Sequence, residues 1–176
     1  TLPPTSDSFL TGVGEATMKG NIRQSAVIGL DDERGAALVV GAGVCGLATA
    51  KAIADQGCTV HLVERSLEPG GAARSLFKRW RGEPVQTAVR RLIGEVERHP
   101  LIFVHTFMEV AQVRRTGGAF VSLLRAGDGR TVEVHHRVTV LAVGAQTYKP
   151  VEYLYRLDPR VVTHQELDAR LLAADR

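Results

Sequence analysis

The chain has 176 residues, and its hydrophobic content of 44% is enough to build the core of one ordinary domain. Its formal net charge of +3 is mildly basic, but an aromatic content of 5% offers no stacking platform for single-stranded nucleic acid, so we do not expect nucleic-acid binding. No apolar run approaches the length of a membrane span, and the first residues lack the basic start and apolar centre of a signal peptide. These features predict a cytoplasmic protein without a membrane span.

Residues 1–35 are predicted to form a separate N-terminal segment. It begins with TLPPTSDS, a polar and proline-rich stretch without periodicity that is typical of a loop or linker.

The first clear unit of the chain is a predicted strand, helix and strand. Residues 37–40, ALVV, have the length and β-branching of a strand buried on both faces, and they run directly into the sequence GAGVCG. A helix is expected at residues 47–56, with Gly57 as its C-terminal stop. The next apolar run, residues 59–63, predicts a second buried strand that ends in Glu64.

The sequence GAGVCG lies between a strand and a helix, which is the context that a dinucleotide-binding GxGxxG motif requires. Gly41 allows the tight turn, Gly43 lets the backbone approach a pyrophosphate, and Gly46 lets the helix pack close to the strand. The unpaired N–H groups at the start of the helix would face the phosphates. Glu64, 23 positions after Gly41, could accept hydrogen bonds from the adenosine ribose and would disfavour a 2′-phosphate. The alternative is a Rossmann-type unit that has kept its shape and lost its ligand.

The cysteines and histidines do not predict a metal site. Two cysteines cannot by themselves hold an iron–sulfur cluster or a structural zinc. Cys45 and Cys58 lie at opposite ends of the predicted helix, about 18 Å apart at 1.5 Å per residue, which is too far for a disulfide. Both are therefore expected to be small core residues. His135 and His136 are adjacent on a predicted strand and point to opposite faces.

The segment 72–82 combines two aromatic residues with four basic ones, Arg74, Lys78, Arg79 and Arg81. We interpret it as a solvated loop; the alternative is a positive rim that faces cofactor phosphates or an acidic partner. Pro84 suits the first turn of a helix with one buried apolar face, and Pro100 ends that helix. Residues 101–105 then predict another strand of the parallel sheet.

Residues 109–115, 119–126 and 130–137 alternate apolar and polar side chains and are separated by glycine-containing turns. This pattern predicts a three-stranded antiparallel meander, inserted before a final parallel strand at residues 138–145. The predicted fold class is therefore α/β, with a Rossmann-like βαβ core, a parallel sheet and an inserted meander.

The Rossmann-like domain is predicted to span residues 36–148. Residues 149–176 would form a C-terminal connecting segment and a helix. Thr163 and Glu166 have the spacing of a capping box at the start of that helix.

Several segments resemble the FAD domain of flavoproteins that have two dinucleotide-binding domains. In RSLEPGG, directly after Glu64, the Gly-Gly pair resembles the one that lies against the cofactor in those proteins, and this favours FAD over NAD. The sequence LAVGA resembles their Ala-Thr-Gly signature, with Val143 in place of the threonine. Residues 9–16 resemble the short strand and Gly-Asp turn that closes the FAD site, with Glu15 at the aspartate position and residues 22–34 as the following helix. The alternative is that residues 9–16 form a loop and residues 22–34 a helix that only pack on the sheet.

Together, the segments GAGVCGLATAKAIADQG, HLVERSLEPGG, EPVQTAVRRLIGEVERHPLI, LAVGAQTYKPVEYLY and DPRVVTHQELDARL look like the heterodisulfide reductase A-like family of flavoproteins. The resemblance covers roughly residues 36–172. It implies an FAD-containing electron-transfer subunit that works with iron–sulfur partner subunits in disulfide reduction or electron bifurcation. Many members carry a cysteine motif after the Gly-Gly pair, whereas residues 72–99 contain no cysteine, so clusters are expected on other polypeptides.

The resemblance and the GxGxxG motif together imply a cofactor site but no catalytic residue. Its residues would be Gly41, Ala42, Gly43, Val44, Cys45, Gly46, Glu64, Arg65, Gly70, Gly71, Val110, Ala142, Val143 and Gly144. Val110 is included because its backbone would meet the adenine by analogy with related folds. The family continues into a second nucleotide-binding module, so the chain looks like a fragment, a split subunit or a reduced homologue.

The chain is not expected to complete a catalytic cycle alone. It has one GxGxxG motif, so it lacks a second dinucleotide site for a nicotinamide, and its two cysteines are too far apart to form a redox-active pair. Electrons would pass through partner subunits, with the basic loop from Arg74 to Arg81 as the candidate docking surface. The sequence leaves open whether the chain also forms a homo-oligomer. The alternative function is a non-catalytic pseudo-flavoprotein scaffold within a larger redox complex.

Overall fold

The computed structural model describes residues 25–28, 35–78 and 84–174. The predicted Gly14-Glu15 turn lies outside these residues, as do Arg79, Trp80 and Arg81 of the basic loop. The elements in chain order are β1 (Ser25–Ile28), β2 (Ala37–Val40), α1 (Val44–Asp55), β3 (Val60–Glu64), a 3₁₀ turn (Gly71–Ser75), α2 (Val85–Glu97), β4 (Ile102–Thr106), β5 (Met108–Thr116), β6 (Ala119–Ala126), β7 (Thr131–His136), β8 (Val138–Leu141) and α3 (His164–Ala174).

A four-stranded parallel sheet, in the order β4-β3-β2-β8, forms the centre of the fold. Its two middle strands have almost no solvent exposure, as expected for parallel strands covered on both faces. The predicted final strand is shorter than expected and ends at Leu141. Ala142 still donates its N–H to the Val40 oxygen, but Gly144 has a φ of +70° and turns the chain away.

Helices α1 and α2 cover one face of this sheet. Leu47 and Val96 are buried against Val60 and Leu62, so the sheet and both helices share one apolar core. The α1 helix starts three residues earlier than predicted, and Gly57, with a φ of +83°, ends it by donating its N–H to the Ala54 oxygen.

The antiparallel strands β5, β6 and β7 cover the other face and confirm the predicted meander. Leu38 and Val63 of the parallel sheet pack against Leu124 and Val134 of the meander. Side chains on alternate positions of β3 therefore enter different cores, one under the helices and one under the meander. The α/β fold class is as predicted.

The predicted helix at residues 22–34 is wrong for the part that the structure describes. Residues Ser25–Ile28 form β1, which pairs in parallel with β7 and extends the meander sheet to four strands. The run SAVI contains two β-branched residues, which suit a strand, and the free edge of β7 offers it a hydrogen-bonding partner.

The last helix confirms the predicted capping box. Thr163 donates its backbone N–H to Glu166 Oε2 at 2.8 Å, and Glu166 donates its N–H to Thr163 Oγ1 at 3.3 Å. None of the described helices combines the length and the apolar character that a bilayer span requires.

Candidate functional site

The three glycines of the GAGVCG loop have different surroundings. A Cβ added to Gly46 would lie 1.8 Å from the Gly41 oxygen, so only glycine fits where α1 crosses the loop. Gly41 has a φ of +101°, and a Cβ there would lie 2.5 Å from the Ala142 oxygen. A Cβ on Gly43, in contrast, would meet no atom within 4 Å. Gly41 and Gly46 therefore hold the fold together, and Gly43 leaves open space on its exposed side.

The N-terminus of α1 faces this open space with unpaired N–H groups. Gly43 is the N-cap residue, and no side chain caps the helix by a hydrogen bond. The Leu47 N–H makes a helical bond to the Gly43 oxygen, so the N–H groups of the three preceding residues have no helical acceptor. The first turn also lacks an acidic side chain. This helix end offers donors and a positive dipole end to an anion.

Glu64 connects the glycine loop to the end of β3. Its Oε2 accepts the Ala42 N–H and its Oε1 accepts the Ser66 N–H, each at 2.8 Å, although the side chain is buried. Each carboxylate oxygen can accept a further hydrogen bond, so Glu64 can still receive hydroxyl donors from the cleft.

The Gly70-Gly71 pair packs directly against the loop. Gly70 donates its N–H to the Ala42 oxygen at 2.7 Å, and a Cβ on Gly71 would lie 3.1 Å from the Gly43 Cα. Both glycines have positive φ, at +116° and +53°. The pair thus brings a second stretch of backbone, with no side chain, to the edge of Gly43.

These elements enclose a cleft of about 500 Å³ at the carboxyl ends of β2, β3 and β8. Nine of the predicted site residues line it: Gly41, Gly43, Glu64, Arg65, Gly71, Val110, Ala142, Val143 and Gly144. The structure therefore brings together four separate predicted segments, at the ends of three strands and at the start of the meander.

The other predicted residues lie behind or beside the cleft. Ala42, Gly46 and Gly70 are buried behind its wall, whereas Val44 and Cys45 are exposed in the first turn of α1. The prediction that Cys45 is a small core residue is wrong, because the apolar face of α1 is formed by Leu47, Ala50 and Ala54 and the Cys45 side chain points away from it.

Sequence reasoning missed several lining residues, namely Ser66, Glu68, Ala72, Met108 and Glu109. Arg74 was considered only as part of a basic rim; it lines the cleft and forms an ion pair with Glu68. Met108 and Glu109 begin β5 and neighbour the predicted Val110, so the start of the meander was the signal that could have found them.

A pair of histidines, the buried His61 and the half-buried His105, lies apart from the cleft. His61 has no solvent exposure, and its Nδ1 is 3.1 Å from Nε2 of His105. Its Nε2 has no hydrogen-bond partner among the described residues. Burial, reinforced by His105 and His136, lowers the pKa of His61 from 6.5 to about 4, so the ring is neutral at pH 7. Within residues 35–78 and 84–174, no three His, Cys, Asp or Glu side chains come together as a metal site.

Comparison with known proteins supports the geometry. Residues 39–102 match the model of the NAD(P)-binding Rossmann-like domain. A heterodisulfide reductase A-like protein from Archaeoglobus profundus is 37% identical over 84 residues, and the match covers 47% of this chain. The chain spans only 12% of the length of that relative.

Several solved structures share the fold. L-proline dehydrogenase from P. horikoshii has a TM-score of 0.55 at 21% identity, over 62% of this chain and 22% of that protein. Thioredoxin reductase from Lactococcus lactis has a TM-score of 0.54 at 17% identity, over 65% and 37% of the two chains. Bacillithiol disulfide reductase from Bacillus cereus has a TM-score of 0.51 at 21% identity, over 62% and 40%. The comparisons therefore confirm the predicted resemblance to heterodisulfide reductase A-like proteins and the Rossmann-like α/β fold.

Proposed function

We propose that this chain binds FAD in the cleft and acts as an electron-transfer module of a heterodisulfide reductase A-like oxidoreductase. The observation that carries the proposal is the open face of Gly43 in front of the uncapped N-terminus of α1. A backbone cradle of this kind suits a pyrophosphate, because N–H donors can approach it without a side chain in the way.

The residues around the cleft fit the successive parts of a dinucleotide. The N–H groups that follow Gly43 would hold the pyrophosphate, and Glu64 would accept the ribose hydroxyls. The backbone of Val110 would lie near the adenine. Gly71, Ala142, Val143 and Gly144 would surround the rest of the cofactor, with Arg65 at the rim. When bound, the isoalloxazine ring would supply one- and two-electron redox chemistry.

FAD is preferred over NAD for two reasons. The Gly70-Gly71 pair packs against Gly43, as expected for the resemblance to flavoproteins, and it leaves a glycine face beside the pyrophosphate cradle. The relative from Archaeoglobus profundus is also named as heterodisulfide reductase A-like, and members of that family are expected to contain FAD.

The electrons would arrive and leave through iron–sulfur partner subunits. Cys45 lies in the first turn of α1 and Cys58 lies beyond its C-terminal end, so they are not a redox pair. The docking surface proposed for a partner is the basic loop that begins at Arg74. We expect the isolated chain to show no multiple turnover with NADH or NADPH and an artificial acceptor, and robust turnover without added protein would contradict this part of the proposal.

The competing function is a scaffold that has kept the Rossmann core without its cofactor. It is motivated by the lack of cysteines in residues 72–99, which would leave the chain without its own path for electrons. A scaffold would not need the open face of Gly43, and this observation favours the flavoprotein.

The test is to measure the flavin content of the purified chain, before and after reconstitution with FAD and gel filtration. We expect close to one FAD per chain after reconstitution. A preparation that stays colourless after incubation with FAD would reject the flavoprotein and support the scaffold.

A further inference from the structure

Two arginines line the main cleft among the residues that the structure describes, and they border different neighbouring clefts. Arg65 also lines a cleft of about 430 Å³ beside Phe107, where the meander begins. Arg74 also lines a cleft of about 410 Å³ beside Ala169 and Leu172 of α3. The two positive charges therefore serve different parts of the main cleft, and Arg74 lies on the side of α3.

The stem of Arg74 is held beside the glycine pair. A Cβ on Gly70 would lie 2.9 Å from Cγ and 3.2 Å from Cδ of Arg74, so the stem fills the space that a side chain at residue 70 would occupy. Gly70 in turn donates its N–H to the Ala42 oxygen and forms a parallel bridge with Gly43. The lack of a side chain at Gly70 thus brings Arg74 close to the open space in front of Gly43.

The guanidinium of Arg74 forms an ion pair with Glu68, which lines the same cleft. The two side chains are 48% and 66% exposed, so solvent screens the pair and it contributes little to the stability of the fold. A guanidinium binds phosphate oxygens through two parallel N–H groups, as it binds a carboxylate. An anion in the cleft can therefore replace Glu68 as the partner of Arg74.

The charges of the cleft make such an exchange favourable. The described lining residues that carry charge are Glu64, Glu68, Glu109, Arg65 and Arg74. Glu109 is paired with Arg125 on the neighbouring strand, and Glu64 accepts two backbone N–H groups. Because Glu68 neutralises Arg74, a pyrophosphate gains the full attraction of this arginine only when it draws the guanidinium away from Glu68.

We propose that Arg74 binds the pyrophosphate of the dinucleotide and that Glu68 holds Arg74 in the unliganded chain, so that this ion pair sets the affinity for the nucleotide. This role rests on the proposed function, which it deepens. The stem of Arg74 would stay against Gly70 while the guanidinium turns from Glu68 and donates N–H groups to the phosphate oxygens. Arg74 would then add a full charge to the backbone donors at the start of α1. The docking surface for a partner would consist of the basic residues that follow Arg74.

Isothermal titration with ADP, which carries a pyrophosphate but no flavin, tests the role of Arg74. Arg74→Gln removes the charge, so we expect ADP affinity to fall about ten-fold, as for the loss of hydrogen bonds to a charged group. Added salt should weaken ADP binding less in this variant than in the wild type, because one charge fewer is screened. Arg74→Lys keeps the charge and should bind ADP more tightly than Arg74→Gln. Arg91→Gln is the matched control: it removes an exposed arginine of α2 that does not line the cleft and should leave ADP affinity within about two-fold.

A double-mutant cycle tests the role of Glu68. Glu68→Gln frees Arg74, so ADP affinity should rise about three-fold, in the range of an exposed ion pair. The same substitution in the Arg74→Gln chain should give no such gain, because no guanidinium remains to be released. An equal gain in both backgrounds would show that Glu68 only repels the phosphates and does not act through Arg74, which would overturn the latch.

Urea unfolding of each variant should match that of the wild type, because both side chains are exposed. The phosphate role of Arg74 is overturned if Arg74→Gln binds ADP as tightly as the wild type, or if its binding has the same salt dependence. A wild-type chain that binds neither ADP nor FAD would overturn the proposed function as well. A chain that binds FAD but shows no effect of Arg74 would overturn the role of Arg74 alone.

Discussion

The two ends of the main cleft are constructed differently. At the glycine-loop end, hydrogen bonds join three segments: the Gly41 N–H donates to the Val63 oxygen, the Gly70 N–H to the Ala42 oxygen, and the Ala42 N–H to the Glu64 carboxylate. At the other end, the chain leaves β8 with apolar side chains in solvent: Leu141, Val143, Tyr148 and Tyr153 are 74%, 68%, 72% and 84% exposed. The first end is held by hydrogen bonds between its own segments, whereas the second depends little on contacts among the described residues. Substitutions should therefore have large effects at the first end and small effects at the second.

The largest expected effect is that of Gly46→Ala. The new methyl group would lie 1.8 Å from the Gly41 oxygen, which is backbone and cannot move without separating α1 from β2. We expect a loss of about 3 kcal/mol or more in the free energy of unfolding, measured by urea denaturation. Gly43→Ala is the matched control, because its methyl group meets open space; it should change stability by less than about 1 kcal/mol. Equal losses in the two variants would contradict the assignment of different roles to the two glycines.

The next largest effect is an acid-dependent loss of stability from the interior of the parallel sheet, at His61 of β3. The folded-state pKa of His61 is lowered to about 4, so the unfolded chain binds a proton near pH 6.5 that the folded chain does not. Stability should fall as the pH is lowered from about 6.5 to 4, by up to about 3 kcal/mol. Burial also lowers the pKa values of His105 and His136, which act in the same direction.

His61→Leu tests whether His61 causes this pH dependence of stability. It removes the largest of these contributions, so urea midpoints between pH 4 and 7 should depend less steeply on pH than in the wild type. An unchanged slope would show that another group is responsible.

Glu64→Gln should have a smaller effect on stability. The amide has one oxygen where the carboxylate has two, so it cannot accept both the Ala42 and the Ser66 N–H groups, and one is left facing an NH₂ group. We expect a loss of about 1–3 kcal/mol in unfolding free energy. ADP affinity, measured by titration calorimetry, should fall about ten-fold, because hydrogen bonds to a charged acceptor contribute about 1.5–3 kcal/mol. Wild-type stability together with wild-type affinity would contradict the role given to this carboxylate.

The smallest expected effect lies at the open end of the cleft. Val143→Ser replaces a side chain that is 68% exposed, so the unfolding free energy should change by less than about 0.5 kcal/mol. A loss above about 2 kcal/mol would show that this end is as tightly packed as the glycine loop.

The sequence predicted the glycine-loop end well because its signals are local. The ALVV run, the spacing of Gly41, Gly43 and Gly46, and the position of Glu64 each follow from short-range requirements of a strand, a turn and a helix. The meander was predicted for the same reason, from alternation and glycine turns.

The features that sequence reasoning missed depend on contacts between distant segments. The strand at Ser25–Ile28 forms against β7, which lies more than a hundred residues later, whereas the resemblance to flavoproteins suggested a helix. The ring of Phe107, the residue between β4 and β5, lies against Gly127 of the turn after β6, a contact that no local pattern predicts. Cys45 is exposed because α1 packs on the sheet through Leu47, Ala50 and Ala54.

The central claim is that the open face of Gly43 is where a dinucleotide binds, and the most direct measurement is thermal unfolding of the wild type and of Gly43→Val with and without FAD. A ligand present at about one hundred times its Kd stabilises the folded state by about 2.7 kcal/mol, which raises the Tm by several degrees. We predict that the two proteins unfold at similar temperatures without FAD and that only the wild type gains stability when FAD is added. An equal rise in Tm for both proteins, or no rise in the wild type, would contradict the claim.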